Sequence, residues 1–413
     1  MNTLKTWVNV PENSDFSIYN LPFGIFSLKN KKRRIGIAIG TQILDVYALS
    51  KLGHLKELSI DSKVFKNKYL NDFISLGKEK TNAVRLKVQE LLSDKDSPLR
   101  ELSSLLIKQE DATMHLPVKI GDYTDFYSSI EHATNVGSLF RDPDNALMPN
   151  WRHLPVGYHG RSSSIIVTGV DIHRPKGQTK PADSAPIYQA SQRMDFELEM
   201  GYIIGKKTKL GDTVTTDEAE EYIFGKVLFN DWTARDIQVW EYIPLGPFLG
   251  KNFASSISPW IVTLEALEPF RVETPEQKPT VLPYLQTTGL KNYNINLEVA
   301  IQPQDSKESI VCKSNFKYMY WSMAQQIAHH TVNGCNLNVG DMMASGTISG
   351  KTTDSYGSML EISKAGKQPI TLDDGEKRSF IHDYDTVIMR GFCEKDGIRV
   401  GFGEVKGMVL PAL

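Results

Sequence analysis

The sequence predicts a mainly β protein with few helices, organised in two parts, and three observations carry that expectation. At 413 residues the chain exceeds what one hydrophobic core usually organises, so two domains are expected. Most apolar segments are short, alternate with small or polar residues, and stop at Gly, Pro, Asn or Asp, as strands and turns do. Helical spacing appears in few places, between residues 78 and 110 and again over 316–332.

Taken in order, residues 20–50 read as short strands. Ile35, Ile37 and Ile39 alternate with small residues, the period of a half-buried strand. The basic run at 29–34, KNKKRR, reads as a solvated hairpin turn rather than a targeting or nucleic-acid patch. Between 78 and 110 the pattern becomes helical. Val84, Val88, Leu91 and Leu92 fall on one helical face. Ser97-Pro98 then offers an N-cap and a first-turn proline for a second helix carrying Leu99, Leu102, Leu105 and Leu106. After HLPVK the chain turns aromatic and rich in Gly and Pro, which sets the expected domains at 1–117 and 118–413. Further strands are expected at 164–168, 196–204, 294–301 and 386–389. One helix is expected over 316–332, with Met319, Met323 and Ile327 at four-residue spacing and Gly334 as its stop.

Composition narrows the function. Hydrophobic residues make up 40% and charged residues 23%, ordinary for a globular protein, and the net charge is -2. With a pI near 6.5 there is no basic footprint for nucleic acid, so the expected partner is a small molecule. The three cysteines, Cys312, Cys335 and Cys393, form no CxxC pair; they read as reduced thiols of a cytoplasmic protein. The N-terminal stretch MNTLKTWVNVPENSDFS has no apolar core after a basic start, against a signal peptide. Nowhere do eighteen apolar residues run together, so no membrane span is expected.

Two familiar motifs fail on spacing. SGTISGKT at 345–352 puts Ser345 where a P-loop requires its first glycine, with Gly346 one residue too close. Ser349 is likewise misplaced for a nucleophile elbow. His329 and His330, late in the expected helix, suit its C-terminal dipole and read as structural.

The most informative segment is DFELEM at 195–200. Phe196, Leu198 and Met200 point to one side of a strand, and Glu197 and Glu199 to the other. Adjacent carboxylates repel unless a cation sits between them. Because the strand runs into Gly-Tyr-Ile-Ile, which reads as buried, a metal site is favoured over a solvated pair. Asp231, ending the apolar run Val227-Leu228-Phe229, is a third candidate ligand, although an Asp there is also a natural helix N-cap. Asp122 and Asp125 stand beside aromatics just ahead of His132. Oxygen ligands without Cys or His imply a hard cation, magnesium or calcium.

At these residues the chain resembles the fumarylacetoacetate hydrolase family. The blocks are DYTDFYSS–HATNVG (122–137), NWRHLPVGYHGR (150–161), DFELEM, NDWTARDIQVWEYIPLGPFLGK (230–251), HHTVNGCNL (329–337) and ASGTISG–GSMLE (344–361), with FSIYNLPFGIFS (16–27) extending the match over nearly the whole chain. The resemblance implies an SH3-like β-barrel N-terminal domain, a large C-terminal mixed β-sandwich roll and a homodimer. It implies hydrolysis of fumarylacetoacetate to fumarate and acetoacetate, the last step of tyrosine degradation. Residue by residue, it assigns Asp125, Glu197, Glu199 and Asp231 to a Ca2+ or Mg2+ ion. It makes His132 the general base, oriented by Glu361, and turns Arg235, Gln238 and Lys251 toward the oxyanion. Tyr127, Arg141, Tyr158, Gln238, Tyr242 and Thr347 would hold the substrate. A second magnesium would lie near Asp231, Lys251 and Ser255; there the chain has Ala254 and Ser255 where the family has glycine and threonine.

The chemistry asks for these residue types. Activating water needs a base near neutral pKa, and a carboxylate beside a histidine fixes its tautomer and steadies the imidazolium. The leaving carbanion needs positive charge as it forms. The i, i+3 spacing puts Arg235 and Gln238 on one helical face. Two alternatives stand beside this reading: an acylpyruvase or another keto-acid hydrolase on the same metal site, and a non-catalytic protein whose metal stabilises an oligomer.

Overall fold

The computed structural model describes residues 4–413; the first three residues of the N-terminal stretch read above for a leader lie outside the described residues. Thirteen strands join into one sheet. Its path runs from Leu106–Lys108 through Gln42–Asp45, Arg34–Ile39 and Phe23–Ser27 to Trp260–Thr263. It continues through Ile223–Asp231, Leu198–Ile204, Met342–Ala344, Tyr123–Phe126 and Gly157–Gly160. The early strands therefore continue directly into the later ones, through an antiparallel pairing of Phe23 with Ile261. Among the described residues no closed barrel forms, so the SH3-like barrel expected of the N-terminal part is not found. The edge of Phe23–Ser27 away from Arg34–Ile39 is shared: Thr113–His115 pairs with Ile25–Ser27, while Trp260 and Ile261 pair with Gly24 and Phe23 and tie the early strands into the large sheet.

A second sheet of five strands, Ser309–Asn315, Asn296–Gln302, Thr386–Lys395, Ile398–Leu410 and Ile172–His173, lies in the C-terminal part. Between the sheets Leu228, Trp232, Leu297, Val299, Met389 and Phe402 share one core. On the other face of the large sheet Phe229, Val227 and Ile261 pack with Ile25, Ile37, Phe73, Val84 and Val88 in a second core. The strand Ile223–Asp231 is consequently buried along its whole length. Alternate side chains, Leu228 and Phe229, enter different cores because a strand sends successive residues to opposite faces.

Several expectations are met. Lys78–Ser93 is a helix with Val84, Val88, Leu91 and Leu92 buried, and the basic run lies in the turn joining Phe23–Ser27 to Arg34–Ile39. Strands occur at Ile165–Val167, Leu198–Ile204, Asn296–Gln302 and Thr386–Lys395, the last much longer than 386–389. Three readings need correction. Arg34–Ile39 is buried on both faces: a Cβ on Gly36 would lie 2.4 Å from Ile43 Cγ2, so the small residues admit a neighbour rather than water. Ser97 does cap the chain at Leu99, but two 3-10 turns follow, Pro98–Glu101 and Ser103–Leu105, instead of an α-helix. The expected helix over 316–332 is only Met323–Thr331, because Ser322 and Gln325 form a capping box there and Phe316–Tyr318 is a separate 3-10 turn. No described helix is long and apolar enough to cross a membrane.

Candidate active site

Four carboxylates meet at neighbouring strands of the large sheet. Asp125 lies on Tyr123–Phe126, paired in parallel with Ala344. Glu199, on Leu198–Ile204, lies across from Phe229 of the next strand, and Asp231 ends that same next strand. Glu197 precedes the strand Leu198–Ile204 in a single bridge to Ser358. The side-chain oxygens of Asp125, Glu197, Glu199 and Asp231 fall within 4.8 Å of one another, and all four residues are buried. Asp231 does not cap the following helix, whose N-cap is Ala234.

Two cations face this cluster. Lys251 donates to Asp231 Oδ2 at 2.6 Å and to Glu197. Arg235 Nη1 contacts Glu197 Oε1 at 2.7 Å, while its Nε donates to Asp195 Oδ2 at 2.8 Å. Burial would raise the Glu197 pKa, but Lys251 and Arg235 hold it down at about 2. Asp125 and Glu199 form no such ion pair, so burial and then the other carboxylates, only partly offset by Lys251, push both well above the usual carboxylate range. Four carboxylates against two side-chain cations leave charge uncompensated, and Asp125 Oδ1 and Glu199 Oε1 have no hydrogen-bond partner. An all-oxygen, partly unpartnered and negatively charged cluster fits a hard divalent cation.

Beside it stands His132, in the first turn of the helix Ile130–Phe140, its N–H accepted by the cap Ser129 Oγ. His132 Nδ1 lies 2.7 Å from Glu361 Oε2, and both residues are buried. Glu361 lies in the first turn of the short helix Met359–Ile362 and accepts three further bonds. Asn135 Nδ2 reaches Oε1 at 2.9 Å, and Ser349 Oγ and Ser358 Oγ reach Oε2 at 2.9 Å each. Burial alone would raise the Glu361 pKa; the imidazole and these donors outweigh it and hold the carboxyl below its usual range. With Nδ1–H committed to an anion, Nε2 carries the lone pair.

The remaining expected residues divide into an inner and an outer group. Tyr127 packs edge-on against His132, ring centroids 5.3 Å apart. Tyr158 donates to Asp231 Oδ2 at 3.3 Å, and Ser255 Oγ donates to Asp231 Oδ1 at 2.9 Å. Gln238 Oε1 accepts from Arg235 Nη1 at 3.4 Å, as the shared helical face requires. Thr347 is buried. Arg141 and Tyr242 are exposed, and Arg141 is spent on the carbonyl of Ala146. Arg235 does not pair with Asp236 or Glu241, and Lys251 is not on the surface. Of the distracting histidines, His330 Nε2 lies 3.4 Å from Thr124 Oγ1 and His329 meets Tyr284.

The residue reading passed over Asn135, Ser349, Ser358, Asp195 and Gly346. Gly346 takes φ +76, and a Cβ there would stand 2.2 Å from the Phe126 carbonyl; its N–H donates to Glu199 Oε2 at 2.9 Å. All five lie inside the family blocks, but nothing in their spacing marks them.

A family model described as fumarylacetoacetate hydrolase C-terminal matches residues 122–409, which include every residue of this site. The chain belongs to the fumarylacetoacetate hydrolase family. A second model, fumarylacetoacetase N-terminal, matches residues 19–117. The fumarylacetoacetases of Homo sapiens and Caenorhabditis elegans are each 52% identical to the chain over 99% of its length, covering 99% and 100% of theirs. That of Dictyostelium discoideum is 51% identical over 100% of the chain and 99% of its own length. Among solved structures, the fumarylacetoacetate hydrolase of Exiguobacterium antarcticum has a TM-score of 0.53 at 17% identity, over 95% of this chain and 99% of that one. The maleylpyruvate hydrolase of Sphingobium sp. SYK-6 has a TM-score of 0.52 at 14% identity, over 95% and 100%. At that identity the likeness is one of fold, and the fold is the family's.

Proposed function

We propose that this chain is a metal-dependent hydrolase that splits fumarylacetoacetate and water into fumarate and acetoacetate, the last step of tyrosine degradation. The observation that carries the reading is the His132–Glu361 pair at 2.7 Å beside four converging carboxylates. Full-length relatives at 52% identity that are named fumarylacetoacetase support the substrate.

His132 Nε2 takes a proton from water, and Glu361 stabilises the imidazolium so formed. The water oxygen bonds to the carbonyl carbon next to the scissile bond. Arg235, with one unpartnered amine, and Gln238 donate to the oxyanion. As the tetrahedral centre collapses, the carbon–carbon bond breaks, and its electron pair leaves on the acetoacetate fragment as an enolate. Lys251, held protonated by Asp231 and Glu197, gives that carbon its proton. A Ca2+ or Mg2+ ion held by Asp125, Glu197, Glu199 and Asp231 would supply positive charge against the diketo oxygens. Ser255, with Asp231 and Lys251, offers an oxygen for a second magnesium. Tyr127, Arg141, Tyr158, Gln238, Tyr242 and Thr347 hold the substrate, Arg141 through Nη1, since its Nε and Nη2 both go to the carbonyl of Ala146.

The same reading includes a division at 117/118, a cytoplasmic location, in keeping with three unpaired cysteines, and a homodimer. The exposed run Trp240, Ile243, Leu245 and Phe248 supports an interface with a second copy, since contiguous exposed apolar surface marks such sites. Light scattering on the purified chain tests that part.

The activity is tested by following the absorbance of fumarylacetoacetate and of an acylpyruvate, each with and without chelator. Faster loss of fumarylacetoacetate, abolished by chelator, is expected. Preference for the acylpyruvate would shift the assignment to a related keto-acid hydrolase, and no loss of either would leave a metal-binding protein.

A further inference from the structure

A fifth carboxylate, Asp195, is fully buried and belongs to neither the acidic cluster nor the histidine pair, yet it touches both neighbourhoods. It sits in the two-residue strand Met194–Asp195, opposite Thr233. Its Oδ1 accepts the backbone N–H of Met359 at 2.7 Å, and its Oδ2 accepts that of Leu360 at 3.0 Å. The same Oδ2 accepts Arg235 Nε at 2.8 Å. Asp195 is thereby anchored to the helix that carries Glu361 and presents its charge to the guanidinium.

A capping role alone does not account for it. Ser358 already caps that helix through the Glu361 N–H, so the helix end does not depend on Asp195 alone for its acceptors. A fully buried charge is costly unless a cation answers it, and the cation here is Arg235. The guanidinium is a planar fork. With Nε on Asp195 and Nη1 on Glu197, its orientation is set, and Nη2 is left buried without a partner.

We propose that Asp195 is a positioning residue for the hydrolysis: it locks Arg235 so that Nη2 points at the oxygen that becomes negative. This rests on the hydrolytic reading above. A group fixed from two sides needs no reorganisation as charge develops, and misplacing such a donor by about 1 Å costs on the order of 100-fold in rate.

The test is a double-mutant cycle on the metal-loaded full chain, with Asp195→Asn, Arg235→Gln and the pair, assayed on fumarylacetoacetate. Asp195→Asn keeps shape and an acceptor for the helix. It is expected to lower kcat about 10- to 100-fold with KM within about twofold. The double variant should be no slower than Arg235→Gln alone, within about threefold, because the lost alignment has nothing left to align. Losses that multiply in the double variant, or a wild-type kcat in Asp195→Asn, overturn the proposal while leaving the hydrolase reading in place. A wild-type chain without turnover overturns the hydrolase reading, and this one with it. Should Asp195→Asn not accumulate folded, Asp195→Ser runs the same cycle with a smaller acceptor.

Discussion

Replacing Glu361 by glutamine removes one negative charge and very little else. The two ends of this carboxylate differ: Oε2 receives His132, Ser349 and Ser358, while Oε1 receives only Asn135. The glutamine oxygen will settle where three donors converge, leaving its amide toward Asn135, whose own amide can turn to accept. His132 therefore keeps an acceptor at Nδ1, and its tautomer survives. What goes is the anion facing the imidazolium. Opposite charges about 4 Å apart in surroundings of effective dielectric about 20 attract by about 4 kcal/mol, and each 1.36 kcal/mol or so is tenfold in rate. Glu361→Gln should thus lower kcat roughly 1,000-fold, with KM and metal content near wild type. The assay is continuous loss of fumarylacetoacetate absorbance at saturating metal. A kcat within about threefold of wild type would refute the pairing as the source of the base's strength.

Two further outcomes follow from the buried charges. Because burial and mutual repulsion push Asp125 and Glu199 up, protons compete with the cation, so ion binding releases protons and weakens as pH falls through the range where these groups protonate. Calorimetry of Mg2+ binding at pH 5.5 and 7.5 should show higher affinity at the higher pH; equal affinities would contradict the competition. Lys226 is fully buried, its Nζ unpartnered and 3.6 Å from the Phe316 ring centroid. The ring favours the ammonium, but burial dominates and pushes its pKa well down, so the folded state binds fewer protons than the unfolded one between that lowered pKa and about pH 10.5. Lys226→Met should stabilise by about 1–3 kcal/mol near neutral pH, with a gain that shrinks as pH rises toward that value. Thermal unfolding of both proteins at pH 7 and 10 measures it, and a destabilised or pH-independent difference would count against it.

The site was legible where a local period carried it. In DFELEM the alternation alone separates Phe196, Leu198 and Met200, which enter the core, from Glu197 and Glu199, which face the cation site. The helix Lys78–Ser93 was legible because its apolar face has one interpretation. Leu99, Leu102 and Leu105 do not: a spacing of three suits a 3-10 turn as well as an α-helix, and with Pro98 ahead of them the chain took the tighter turns. The long helix over 316–332 failed for a related reason. Four-residue spacing continues across Tyr318–Ser322 by coincidence, while the capping box at Ser322 restarts the backbone. The barrel was not legible in spacing, since the edge of Phe23–Ser27 is shared between the nearby Thr113–His115 and the distant Trp260–Thr263, a pairing that no local period marks. Asn135, Ser349 and Ser358 were illegible for the same cause: their roles arise from contacts with Glu361 that only the tertiary fold creates.

In the mechanism proposed above, these carboxylates hold an ion beside a histidine that deprotonates water. This is tested most directly by His132→Ala, with bound metal counted and fumarylacetoacetate turnover measured on the same sample. Metal content should equal that of wild type, with turnover abolished. Turnover preserved in that variant would contradict it.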